Sequence, residues 1–177
     1  MGVILGSGLL AGDEGKGTLQ SLLAQPVRRG KVFVHKYFAL LLLMLISSVA
    51  IFVSTYITAY FISESMDWWR MLQATFGVWV ITLVFSVFAF SLGAVTGSRG
   101  LAGSVAGMMA FVTYLVSSLA VGISALKTVD LLSPFHYFNT PSIIANGIDW
   151  GNMAVLWAII IVFSLLGFFV FTKRDIH

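Results

Sequence analysis

The sequence predicts an all-α, polytopic helical membrane protein: four full transmembrane helices, an N-terminal partial helix and a short cytoplasmic coupling helix. Two observations carry this. The 177 residues are 59% hydrophobic and only 10% charged, with a mean hydropathy of +0.98, far more apolar than a soluble domain. The apolar residues also gather into uncharged runs of the ~20 residues that a helix needs to cross the hydrocarbon. The chain has no cysteine, so neither a disulfide framework nor a thiolate metal site is available. Its net charge of +3 resides in loops and suits an anionic membrane lipid leaflet. No nucleic-acid partner, metal or cofactor is expected.

In chain order, residues 1–11 are apolar but too short to span alone, and read as the end of a truncated membrane helix. A signal peptide fits poorly, because no basic residue precedes this run and an acidic turn follows it. Residues 12–37 form the one long polar interval ahead of the four spans, holding Lys16, Arg28, Arg29, Lys31 and Lys36. Gly12, Asp13, Glu14, Gly15 and Gly17 make an acidic turn, and Thr18 is placed to cap the helix that follows. Leu19, Leu22 and Leu23 recur at helical spacing until Pro26 stops the helix. Arg28, Arg29 and Gly30 form a basic corner, and a new helix starts at Lys31.

The transmembrane bundle, 38–177, contains spans at about 38–61, 72–95, 101–124 and 152–172. Tyr56, Tyr60, Trp68 and Trp69 suit an outer interface, where amphipathic rings sit at headgroup level. Residues 96–100, with Arg99, are an inner turn. Residues 125–151 are the longest outer loop, with Lys127, Asp130, Asp149 and an aromatic cluster to which His136 belongs. Within it Thr140–Pro141 and Gly147 read as cap, first turn and stop of a short surface helix.

Of the ten Lys and Arg, Lys16, Arg28, Arg29, Lys31, Lys36, Arg99, Lys173 and Arg174 fall on one side, and Arg70 and Lys127 on the other. The positive-inside tendency makes the first side, with both termini, cytoplasmic. No Asp, Glu, Lys, Arg or His lies within a span, whereas ion-driven carriers rely on such groups near the midplane. Any uphill transport therefore draws its energy from a partner. The chain offers no nucleotide site of its own: around Gly15-Lys16-Gly17-Thr18 a phosphate-binding loop would need a hydroxyl directly after the lysine and a glycine where Leu10 stands.

The segment around the short helix resembles the cytoplasmic coupling region of type-2 ABC transporter permeases, matching at Gly12, Gly17, Thr18, Leu19, Leu22, Leu23, Pro26, Arg29 and Lys36. It departs at Asp13, where the family has Glu, and at His35, where it has Gly. The resemblance runs more loosely down to the Phe171–Asp175 ending. It implies the permease subunit of an ATP-driven exporter at the cell membrane, paired with a separate ABC-type ATPase subunit and a second permease copy. It also implies six helices per permease, hence N-terminal helices missing here through a fragment, a misplaced start or a short variant. Leu19, Leu22 and Leu23 would dock in the ATPase, with Asp13, Glu14, Arg28 and Arg29 setting register by charge.

Other features keep two readings. Gly93-x-x-x-Gly97 and Gly103-x-x-x-Gly107 allow close helix approach, within the bundle or across a dimer seam. Span hydroxyls such as Ser47, Thr82 and Ser117 line a pathway or bond back to their own helix. A small structural or regulatory four-helix membrane protein is the alternative to a permease. An enzyme is disfavoured, because the spans offer only hydroxyls and amides.

Overall fold

The computed structural model describes residues 1–12, 29–61 and 67–173. Among them there are helices and no strands: α1 (Gly2–Leu9), α2 (Arg29–Phe61), α3 (Trp68–Thr96), α4 (Arg99–Ala120), α5 (Lys127–Asp130), α6 (Thr140–Asn146) and α7 (Trp150–Lys173). Two 3-10 turns, Ser124–Leu126 and Pro134–Tyr137, flank α5. Helices α2, α3, α4 and α7 are long and apolar enough to cross a membrane.

Helix α3 is the axis of the bundle. In its most apolar stretch 67% of residues are buried, against 11% for α2, 11% for α4 and 22% for α7. It packs most extensively on α1 and α7, then on α4, α2 and α6. Val80, Leu83, Val87, Phe90 and Ala94 are fully enclosed along its length. The other three spans present most of their apolar surface outward, as lipid-facing helices do.

The ends of α3 and of its neighbours are set by local chemistry. Asp67 Oδ1 accepts the Trp69 N–H at 3.0 Å and caps α3. At the other end Gly97 adopts φ 66° and returns its N–H to Gly93 O at 2.9 Å, a left-handed stop that favours glycine. One residue on, Ser98 Oγ accepts the Leu101 N–H and starts α4. The short helix α6 is capped by Asn139 rather than Thr140, since the Asn139 amide oxygen reaches the Ser142 N–H at 3.1 Å. Pro141 occupies its first turn and Gly147, at φ 92°, ends it. The third span stops at Ala120, before the limit of 124 read from hydropathy: the N–H groups of Gly122 and Ile123 both turn back to Leu119 O.

Helix α1 has too few residues to span, yet it is built into the bundle against α3 and α4. The cause is backbone proximity. A Cβ on Gly2 would collide with Ser86 Oγ, and one on Gly6 with the Ser86 carbonyl oxygen. Leu10 and Ala11 are buried at the end of the same seam.

Candidate functional site

Of the coupling residues expected from the sequence, Asp13, Glu14, Gly17, Thr18, Leu19, Leu22, Leu23, Pro26 and Arg28 lie outside the described residues. Arg29 and Lys36 lie within them, in the first two turns of α2. The helix already runs from Arg29, ahead of the Lys31 start and the 38–61 span, because no breaker separates Gly30 from Phe61. At 1.5 Å per residue its 33 residues extend ~50 Å, well beyond a ~30 Å hydrocarbon core. Arg29, Lys31 and Lys36 therefore sit on the overhang.

The structure brings both borders of the 13–28 interval onto the bundle at one end. On the entering side, the Arg99 side chain lies across α1: its guanidinium is 3.5–3.6 Å from a Cβ built at Gly8, and its Cδ is 3.7 Å from one built at Gly12. A cation over the last carbonyls of α1 also complements that helix's dipole. On the leaving side, Gly30 abuts Phe168 and Thr172 of α7. One turn later Phe33, 3% exposed, meets Phe90 of α3 at 5.1 Å and 65°, Phe168 at 5.5 Å and 78°, and Phe171 at 5.8 Å. These are edge-on or tilted geometries, favoured by the ring quadrupole. Ser164 Oγ donates to Ile160 O at 2.7 Å, so the Tyr37 hydroxyl is the donor in its 2.8 Å bond to Ser164 Oγ. His35 Nδ1 donates to Lys31 O at 2.7 Å, which ties it back to its own helix.

Buried residues on α2 are confined to its first half: Val32, Phe33, Leu40 and Met44. From Leu45 to Phe61 every residue is at least partly exposed. The helix is thus held against the bundle from Val32 to Met44 and carries no buried residue beyond its midpoint.

The glycine pairs have four different surroundings. A Cβ at Gly93 would be 3.3 Å from Ala11 Cβ, and one at Gly103 would be 3.2 Å from Ser7 Oγ. Gly97 serves as the left-handed stop of α3. Gly107 has nothing within 4 Å among the described residues. The Gly2-x-x-x-Gly6 pair, overlooked in the sequence because its run is short, makes the closest approach. Gly167 on α7 does the same against Ser91, whose hydroxyl donates to Phe163 O at 2.7 Å.

At the opposite end, sequence reasoning placed His136 among interfacial aromatics. It does stack edge-on with Tyr137 at 5.1 Å, but it is also paired: its Nδ1 lies 2.6 Å from Asp130 Oδ2. Ser117 Oγ donates to Asp130 Oδ1 at 2.5 Å. Ser133 Oγ, 2.8 Å from Ser117 Oγ, accepts the Phe135 N–H. Burial pushes the Asp130 carboxyl up, but the hydrogen bonds from Ser117 and His136, with the His136 charge, outweigh it and hold Asp130 below the ordinary carboxylate range. The network staples the linker between α4 and α6 onto α4. No spacing in the sequence announces it, since Ser117 is far from Asp130 along the chain.

Four membrane-length helices, one of them the buried axis for the other three, with basic residues gathered at one end, define a multi-pass membrane protein. The model of the ABC-2 family transporter proteins matches residues 1–176, and the chain belongs to that family. It is therefore a membrane permease component of an ABC transporter, and the family implies partnership with an ABC ATPase subunit. No curated protein and no solved structure matches the chain.

Proposed function

We propose that the protein is the permease subunit of an ATP-driven exporter at the cell membrane, working with a separate ATPase subunit and a second permease copy, with both termini cytoplasmic. The observation that carries this reading is the double anchoring of the 12–37 segment. One border is held by Arg99 over Gly8 and Gly12, the other by the Phe33 cluster. A force applied to the segment would be transmitted to α2 through Arg29 and pivot on its buried face, which runs from Phe33 to Met44. Its half beyond Met44, residues 45–61, then swings relative to α3.

In this mechanism Leu19, Leu22 and Leu23 dock in a groove of the ATPase. Asp13, Glu14, Arg28 and Arg29 set register by charge, with Gly17, Thr18 and Pro26 shaping the docking helix and Lys36 completing the coupling segment at the start of α2. Closure of the ATPases on ATP tilts the docking helix and rocks α2. The test is affinity purification of the full chain from its native membranes: Leu22→Asp or Leu23→Asp should abolish ATPase co-purification with membrane insertion intact. Unchanged co-purification removes the docking mechanism.

A further inference from the structure

Three cavities converge on Trp79, in the groove between α2 and α3. A cleft of about 260 Å³ lies between Leu45, Phe52, Phe76 and Trp79, and another of about 350 Å³ between Tyr37, Leu41, Trp79 and Trp157. Both are walled almost entirely by apolar side chains. Between the helices a smaller space of about 30 Å³ is rimmed by Ser47, Ser48, Thr75, Trp79 and Thr82. It is large enough for a hydroxyl or carbonyl group, since one water needs ~10–15 Å³.

The polar rim has unspent capacity of both kinds. Ser47, Thr75 and Thr82 donate their only protons to their own helix, at Leu43 O (2.8 Å), Met71 O (3.0 Å) and Val78 O (2.7 Å), which leaves their oxygens as acceptors. Trp79 Nε1 is a buried donor with no acceptor among the described residues. An unanswered N–H at membrane depth is costly, because no water is present to satisfy it.

Position decides what kind of molecule answers it. Trp79 is three residues, ~4.5 Å along the axis, from the midpoint of α3 (Trp68–Thr96), and Ser47 and Ser48 lie within three residues of the midpoint of the 38–61 stretch of α2 that remains once the basic overhang is set aside. A bilayer phospholipid keeps its polar groups at the edge of the ~30 Å core, far from this depth. Among the described residues no Asp, Glu, Lys, Arg or His lines any of the three cavities, so a charged group would enter with no counter-ion from them.

We propose that the α2–α3 groove binds a neutral amphiphile in transit, its long apolar chain in the clefts and its uncharged hydrogen-bonding group between Trp79 and the hydroxyl rim. This names a substrate class for the permease reading and rests on it. The cleft at Leu45, Phe52, Phe76 and Trp79 is bordered by the half of α2 beyond Met44, so the proposed rocking of α2 opens and closes it.

The test is saturation binding of a radiolabelled long-chain monoacylglycerol to the full chain in phospholipid nanodiscs, with no ATPase present, so that failure here is separate from failure of ATPase docking. Saturable binding is expected, and an alkane or alkyl phosphate of the same chain length should compete at least tenfold more weakly. Trp79→Phe keeps a ring and removes the N–H. Loss of one net hydrogen bond should weaken binding about two- to twelvefold. Ser47→Ala/Thr75→Val should weaken it similarly, while Met108→Ala, on an exposed face of α4, should bind as the wild type does. Folding of each variant is checked by its melting temperature. The proposal is overturned if binding is unsaturable, if the alkane or alkyl phosphate competes equally, or if Trp79→Phe and Ser47→Ala/Thr75→Val both bind unchanged. It is also overturned if native mass spectrometry recovers one bilayer phospholipid per chain that the monoacylglycerol displaces.

Discussion

Replacing Gly6 by alanine adds one methyl group to the seam on which α1 is held. The Cβ would collide with the Ser86 carbonyl oxygen, a backbone atom inside the central helix, with Ser86 C at 3.1 Å and Ala89 Cβ at 3.3 Å behind it. No side-chain rotation relieves such a contact, so α1 must move off α3. Overpacking costs ~1–3 kcal/mol, and a backbone obstacle puts this site at the upper end. Alanine returns ~1 kcal/mol through its better helix propensity. The net expected loss is about 2 kcal/mol. Gly107→Ala is the matched comparison: with nothing within 4 Å among the described residues, only the propensity gain of up to ~1 kcal/mol remains. Thermal unfolding of both variants in detergent, followed by fluorescence-detected size exclusion, should show Gly6→Ala melting below the wild type and Gly107→Ala at or above it. A Gly6→Ala protein as stable as the wild type would refute the close α1–α3 approach. A destabilised Gly107→Ala would mean that this face packs against a second chain.

Two further perturbations probe the clamp and the staple. Phe33→Ala removes the ring shared by Phe90, Phe168 and Phe171 and should cost about 3–5 kcal/mol in chemical unfolding; a loss below ~1 kcal/mol would remove Phe33 from the pivot. Asp130→Asn should destabilise the protein at pH 7 by about 1–3 kcal/mol, because charge-assisted bonds to Ser117 and His136 weaken. The native Asp130 pKa is depressed. Its contribution is therefore fully present above the unfolded carboxylate value of ~3.9 and lost as pH falls through the lower native value. The melting-temperature gap between wild type and Asp130→Asn should be present at pH 5 and shrink progressively as pH falls below about 4; a gap that does not shrink there contradicts the assignment.

What could be read in the sequence was what depends on runs and neighbours. Four spans follow from uncharged stretches, the Gly147 stop lies where a glycine punctuates the pattern, and one basic end follows from counting Lys and Arg, whereas Gly97, expected as a packing glycine, is the stop of α3. Contacts between distant residues were not legible. Hydropathy could not single out α3 as the buried axis, since every span is apolar all round. The span criterion judged residues 1–11 by length and so passed over Gly2 and Gly6, whose lack of side chains is what seats α1 on Ser86. Likewise the Asp130–His136 pair needs the 3-10 turns around α5 to bring it together, and the orphaned Trp79 N–H is visible only once α2 lies beside α3.

The central claim is that the 12–37 segment is the surface on which an ATPase pushes. The chain has no cysteine, so single reporters are clean. Leu22→Cys and Leu132→Cys, the latter in the exposed linker at the opposite end, can each be treated in native membranes with a thiol cross-linker and with a membrane-impermeant maleimide. The account predicts that Leu22→Cys cross-links to an ABC ATPase and escapes the maleimide from outside, while Leu132→Cys is labelled from outside and cross-links to none. Labelling of Leu22→Cys from the exterior, or no ATPase in its cross-links, would contradict it.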